Sequence, residues 1–209
     1  MFDLDGTLID TIPLILASHQ HATRTVLGAA LPDELLLSGI GRPLLHQMRL
    51  FDEERAQELF DTYRSWNHAN TERMLRGFEG VDDLLLRLER ADIRVGVVTS
   101  KSRDAVDLAF AIVPPPVTFD TVVTFDDTDR HKPEPEPILL ALERMGVGPG
   151  KAVYVGDAPW DVQAARAAGC AAVAVAWGAA SAERLEEEHP DALVDTPSAL
   201  AALLLDGAP

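Results

Sequence analysis

The chain has 209 residues, 47% hydrophobic and 25% charged, enough to bury a real core as one domain with an insert or as two small domains. Its net charge of -16 argues against nonspecific nucleic-acid binding, which needs clustered cations. The single cysteine, Cys170, rules out an internal disulfide, and no apolar run reaches membrane-spanning length, so neither a nucleic acid nor a membrane is expected as a partner.

Residues 1–11 read as a first strand and a tight turn. Only Met1 and Phe2 precede Asp3, whereas strands usually run about five or six residues. The natural protein is therefore expected to begin some residues earlier. No signal-peptide pattern is visible, and acidic Asp3 and Asp5 stand where a basic leader would be, so a cytoplasmic location is expected. From about Ile12 to Gly80 the pattern is helical throughout. One helix stops at Gly28, and a long polar one runs from Glu53 to Arg76, with Phe60, Tyr63 and Trp66 read as packing residues. From Val81 onward helices alternate with apolar strands: R-V-G-V-V, D-T-V-V-T, A-V-Y-V and A-V-A-V. Such alternation implies an α/β fold, a parallel sheet covered by helices on both faces. Cys170 sits between a helix end and the last of these strands and reads as a small buried residue. The tail, Ser181 to Leu205, reads as an acidic helix, a short D-A-L-V segment and a Leu-rich helix.

Four chemical signals fall at strand ends or helix starts, where open α/β sheets bind ligands. In D-L-D-G-T-L-I-D, Asp3 and Asp5 are two apart, so an extended chain offers both to one pocket. Gly6 lets the backbone turn there. Like charges this close need a cation or a shared proton. One carboxylate can attack phosphorus as a nucleophile, and the other can serve as acid and then base. Thr99 and Ser100 end a buried strand and can hold phosphate oxygens, with Lys101 beside them. The chain has three lysines, Lys101, Lys132 and Lys151. Lys132 opens K-P-E-P-E-P, and its compact ammonium can pair with both a carboxylate and a phosphate. Asp157 follows A-V-Y-V-G, and Asp161 lies one helical turn further on. A hard divalent cation, Mg2+ above all, takes such oxygen ligands. Taken singly, each signal is an ordinary turn, helix cap or acidic helix start.

Together these residues resemble the haloacid dehalogenase-like superfamily across nearly the whole chain. The resemblance implies a Rossmann-like core, 1–11 and 81–209, with a helical cap inserted at 12–80. It implies Asp3 as nucleophile, Asp5 as general acid and base, Thr99 as a phosphoryl ligand and Lys132 as its anchor. It further implies a Mg2+ site from Asp3, the Asp5 carbonyl and Asp157, supported by Asp161. True dehalogenases lack the second aspartate of the first motif, so Asp5 favours phosphate ester chemistry. The insert looks like the cap of the phosphoglycolate phosphatase-like subgroup. I-G-R-P-L, T-Y-R-S-W-N-H, V-T-S-K-S-R-D-A-V and V-A-W-G are similar to its pyrophosphatase branch.

Cap contacts to substrate are expected from Arg42, placed with His46 at the start of a helix after Gly41, and from His19, which lies nearer the catalytic turn than His21. Asn67 and His68 read as surface or hinge-side residues. The expected activity is Mg2+-dependent hydrolysis of a small anionic phosphorylated metabolite such as 2-phosphoglycolate, through an aspartyl-phosphate, by a monomer or homodimer. Inorganic pyrophosphate is the alternative substrate. A phosphosugar mutase would need a cap acid/base that no residue clearly signals. A non-catalytic relative would have lost a catalytic residue, and none is lost.

Overall fold

A computed structural model describes residues 1–206; residues 207–209, the end of the expected core segment, lie outside it. The parallel sheet comprises β3 (Gly96–Val98), β4 (Thr121–Val123), β5 (Val153–Gly156), β6 (Ala171–Val175) and β7 (Ala192–Val194). The start of the chain runs between β3 and β5. Phe2 bridges Val97 on one side and Val155 on the other, both in parallel. Its amide donates to the Gly96 carbonyl at 2.9 Å, and the Val155 amide donates to the Met1 carbonyl at 2.9 Å. The order across the sheet is thus β4, β3, the Met1 to Asp3 segment, β5, β6, β7. The first motif is central.

Side chains alternate between the two faces, as strand geometry requires. Phe2, Val97, Val155, Val173 and Val175 share a core with α5 (Val81–Arg90), α6 (Arg103–Ile112) and α10 (Pro197–Leu205). Val98, Val123, Tyr154, Ala172 and Ala174 share another with α7 (Glu136–Met145), α8 (Pro159–Ala167) and α9 (Ala182–Glu186). Leu84, Leu85 and Leu88 of α5 follow helical spacing and are all buried. Buried Cys170 sits in the second core.

Between Asp10 and the sheet helices lies a helical layer of α1 (Ile12–Leu27), α2 (Asp33–Leu37), α3 (Leu44–Phe51) and α4 (Ala56–Met74). It has its own small core of Ala22, Val26, Met48, Ala56, Leu59 and Tyr63, with Phe60 packed against it. Trp66 packs instead against the core of the sheet. Helix α1 stops at Gly28, whose φ of 87° closes the last turn in the left-handed region. The layer is not helical throughout. β1 (Ile9–Asp10) pairs antiparallel with β2 (Arg76–Gly77) and brings the two ends of the insert together. Two exposed residues carry no periodic signal, so β2 was invisible in the sequence. α4 also begins later than the pattern indicates, because the Asp52 side chain accepts the Arg55 amide at 2.8 Å and holds 52–55 in a turn. Arg42 does not share a helix with His46. Pro43 occupies the N-cap of α3, leaving Arg42 in the turn before it.

Candidate active site

Asp3, Thr99 and Asp157 each follow directly on a strand at the same end of the sheet, and Lys132 enters from the loop before α7. All four are buried, as is Asp161. The Lys132 ammonium joins them. It donates to Asp161 Oδ1 at 2.6 Å and to the Tyr154 hydroxyl at 3.1 Å. It also forms an ion pair with Asp3 Oδ1 at 2.9 Å. Apart from this ion pair, Asp3 Oδ1 has no hydrogen-bond donor among the described residues. Tyr154 in turn donates to the Val98 carbonyl at 2.8 Å, fixing its oxygen beside the lysine. The second oxygen of Asp161 accepts the Ala158 amide at 3.0 Å, capping α8.

Asp157 is held from both sides. Thr7 donates to its Oδ1 at 2.8 Å, and the Ala179 amide donates to its Oδ2 at 2.7 Å. Trp177 steadies Thr7 by donating to its carbonyl at 3.1 Å. Thr7, Tyr154 and the Ala179 amide belong to the site and were not singled out from the sequence. Thr7 does lie inside the first motif, and Tyr154 is a phenol in an otherwise aliphatic strand.

One carboxylate oxygen from each of Asp3, Asp157 and Asp161 can be chosen so that all three lie within 4.8 Å of one another. Of these three buried carboxylates, Asp3 and Asp161 face the Lys132 ammonium. Burial pushes Asp3 up to about 7 despite Lys132, and Asp161 and Asp5 push it the same way. Burial also raises Asp157 well above the usual carboxylate range, helped by Asp161 and Asp3. Lys132 is lowered by burial, yet Asp161 and Asp3 outweigh this and hold it well above its ordinary value. The lysine thus stays charged, and the raised carboxylates call for protons or a further cation. A second cation suits this donor set: hard oxygens, two lone-pair-rich carboxylates and no soft ligand.

Asp5 stands apart from that cluster. Its Oδ1 accepts from Lys101 Nζ at 2.6 Å, with both side chains partly exposed. The chain turns between Asp3 and Asp5, so the two carboxylates pair with different lysines, Lys132 and Lys101, while Asp5 still acts on Asp3 through its charge. Gly6 makes the turn with a φ of 80°. A Cβ there would also run into the Asp157 carboxylate. Gly6→Ala is therefore expected to lower activity by at least about 100-fold, since shifts near 1 Å at a reacting centre cost that much. Steady-state assays beside a circular dichroism melt check it. Thr99 Oγ1 accepts the Lys101 amide at 3.2 Å, and Ser100 reaches across to donate to the Gly41 carbonyl of the helical layer at 2.8 Å.

His19 is fully buried within the helical layer, between the rings of Phe51 and Tyr63. Its Nε2 pairs with Gln47 Oε1 at 3.1 Å, and Gln47 donates from its amide nitrogen to the Arg42 carbonyl at 2.7 Å. The sequence offered His19 as a substrate contact; its contacts here lie within the layer and lead through Gln47 to Arg42. Gln47 was missed because a glutamine on an amphipathic helix carries no signal. Asn67, read as a surface residue, bonds to Ser18 Oγ at 3.0 Å. Burial lowers His19 to about 4. A depressed histidine stabilises the fold above its unfolded value near 6.5 and loses that contribution as pH falls towards 4. Wild type should lose on the order of 2–3 kcal/mol more than His19→Gln across that window, as read from urea midpoints.

Comparison with known proteins places this arrangement in a family. The model of the haloacid dehalogenase-like hydrolases matches residues 1–175. The chain belongs to that family. The hydrolase is 38% identical to the pyrophosphatase PpaX of Bacillus velezensis, over 96% of this chain and 93% of that protein. It is 35% identical to the pyrophosphatase PpaX of Bacillus pumilus, over 98% of this chain and 94% of that protein. Among solved structures, a hydrolase from Pseudomonas syringae matches with a TM-score of 0.87 at 22% identity, over 100% of this chain and 98% of that one. The "predicted phosphoglycolate phosphatase" of Haemophilus somnus matches with 0.86 at 23%, over 97% and 94%. At such identities the structures speak for the fold alone. No helix among the described residues of the hydrolase is long and apolar enough to cross a membrane.

Proposed function

We propose that this hydrolase is a Mg2+-dependent phosphatase acting through an aspartyl-phosphate on Asp3, with inorganic pyrophosphate as substrate. The carrying observation is the buried Asp3 carboxylate, ion-paired with Lys132 at 2.9 Å and crowded by Asp157 and Asp161. The curated relatives bear the name pyrophosphatase, which supports an anhydride over the monoester 2-phosphoglycolate that the sequence put first.

Asp3, Asp157 and the Asp5 carbonyl would hold Mg2+, which supplies positive charge to neutralise the phosphoryl group in transfer. Asp3 attacks phosphorus, and the leaving oxygen departs with the electrons of the broken P–O bond. Asp5 has one oxygen bound by Lys101 and the other available to give that oxygen a proton and later to take one from water. Lys132 orients Asp3 and faces the transferred group. Thr99 and the amides that follow it hold the phosphoryl oxygens, with Ser100, Lys101 and Gly6 lining the same turn. Asp161 holds Lys132 rather than the substrate. The helical layer, 12–80, acts as the cap that excludes water, latched at Gly41 by Ser100 and carrying Arg42 towards the substrate.

The test is phosphate release from pyrophosphate, 2-phosphoglycolate, hexose phosphates and nucleotides, with Mg2+ and with chelator. Mg2+-dependent release that is fastest from pyrophosphate is the expected result. A monoester hydrolysed faster would return 2-phosphoglycolate or a sugar phosphate to first place. Absence of release from every compound would overturn the enzymatic reading.

A further inference from the structure

A cleft of about 530 Å3 lies at the seam between the helical layer and the sheet domain. Arg42 and His46 line it from one side, and Arg130 and His131 from the other. Lys132 also lines it and pairs with Asp3, so this one residue links the cleft to the proposed site of phosphoryl transfer. The larger groove of the molecule, about 1030 Å3 and lined by Met1, Leu88, Leu142 and Met145, lies at the opposite end of the strands, away from this chemistry.

The walls of the cleft are held from outside it. The Arg42 guanidinium lies 3.7 Å over the Trp160 ring, next in sequence to Asp161. Arg130 reaches Glu136 at 3.1 Å, and the His131 ring stacks on Phe125 at 4.1 Å. Two guanidinium groups and two imidazoles meet two carboxylates, Asp129 and Glu134, in a chain that is otherwise strongly acidic. Both imidazoles line this one cleft. Burial lowers His131, His46 lowers it further, and Asp129 and Asp126 only partly oppose this. An anion between the two rings would turn that repulsion into attraction and give both something to hydrogen-bond.

Resting on the phosphatase reading, we propose that His46 and His131, with Arg130, form the subsite for the second anionic group of the substrate. The transferred phosphoryl group sits at Asp3, and the charged leaving group sits in the seam. Because the subsite draws one wall from each domain, an occupant bridges them and favours closure. A substrate with a single phosphate and a neutral remainder leaves the subsite without a partner. This restricts the substrate class to compact molecules with two anionic groups.

Binding rather than turnover tests this. Methylenediphosphonate, phosphonoacetate and methylphosphonate would be titrated calorimetrically into the full chain with Mg2+. The proteins would be wild type, Arg130→Gln and the double variant His46→Gln/His131→Gln. Wild type should prefer the ligands with two anionic groups, and the variants should lose about tenfold or more on these with little change on methylphosphonate, as expected for lost charge-assisted hydrogen bonds. Loss confined to the diphosphonate, or shared with phosphonoacetate, supports the subsite and identifies its anion. Equal loss on all three ligands, or no loss on any, overturns it. Failure of the phosphatase reading would show separately, as no phosphate release by wild type from any compound.

Discussion

Replacing Asp3 by asparagine is expected to abolish turnover while leaving the metal-free fold at least as stable as wild type. The activity loss should be about 10^4-fold or more, as for loss of a covalent nucleophile. The stability result has a separate cause. Asp3 is buried beside Asp161 and close to Asp157, and burial above all pushes it up to about 7, with Asp161 and Asp5 adding to the shift and Lys132 opposing it. An amide of the same shape removes the buried charge. Metal-free Asp3→Asn should therefore gain on the order of 1–3 kcal/mol at neutral pH. Mg2+ should raise the melting temperature of wild type well above that of the chelated protein, by linkage, and should do so less for Asp3→Asn. Equal Mg2+ shifts in both proteins would argue against Asp3 as a ligand. A less stable metal-free variant would show that Lys132 needs Asp3 more than the crowded carboxylates need relief.

Lys132→Met is expected to be destabilising and inactive together. The lysine is the partner of Asp161 at 2.6 Å and of Asp3 at 2.9 Å, with the Tyr154 hydroxyl at 3.1 Å as a third contact. Methionine fills a similar volume but leaves the carboxylates buried without a cation, and breaking such an arrangement costs about 3–5 kcal/mol. Urea unfolding at constant m-value would measure it. On the proposed metal site, added Mg2+ should recover part of the stability through Asp3, but not the activity, since nothing then orients Asp3. Tyr154→Phe is the control. It removes the hydrogen bond from the same lysine and the one to the Val98 carbonyl but leaves the charges paired, and should cost about 1–3 kcal/mol. A Lys132→Met protein as stable as wild type would mean that its carboxylates take up protons at no cost to folding.

The family of this protein and the residues of its proposed site could be picked out in its sequence because they rest on local facts. Asp3, Thr99 and Asp157 each end an apolar run, and parallel strands present such ends on one side of a sheet. Lys132 was conspicuous in a chain with three lysines. Alternating helices and strands after Val81 fixed the layer order, since only a sheet covered on both faces buries Val97 and Val98, or Tyr154 and Val155, on adjacent positions. What decided the rest was contact between residues far apart in the chain. Asp3 and Asp5 parted company because the turn at Gly6 ends the strand period, which sends one to Lys132 and the other to Lys101. His19, Gln47 and Arg42 became one connected line only when α1 and α3 met, and the pairing of Ile9 and Asp10 with Arg76 and Gly77 closed the insert across two residues too few to leave a pattern. Strand ends and periodicity are properties of a short stretch of chain, so the sequence alone determined the fold class and picked out the side chains that the proposal makes catalytic. Which ammonium neutralises which carboxylate, and which walls face each other across a seam, depend on distances of a few ångströms between distant segments, and only the tertiary structure sets those.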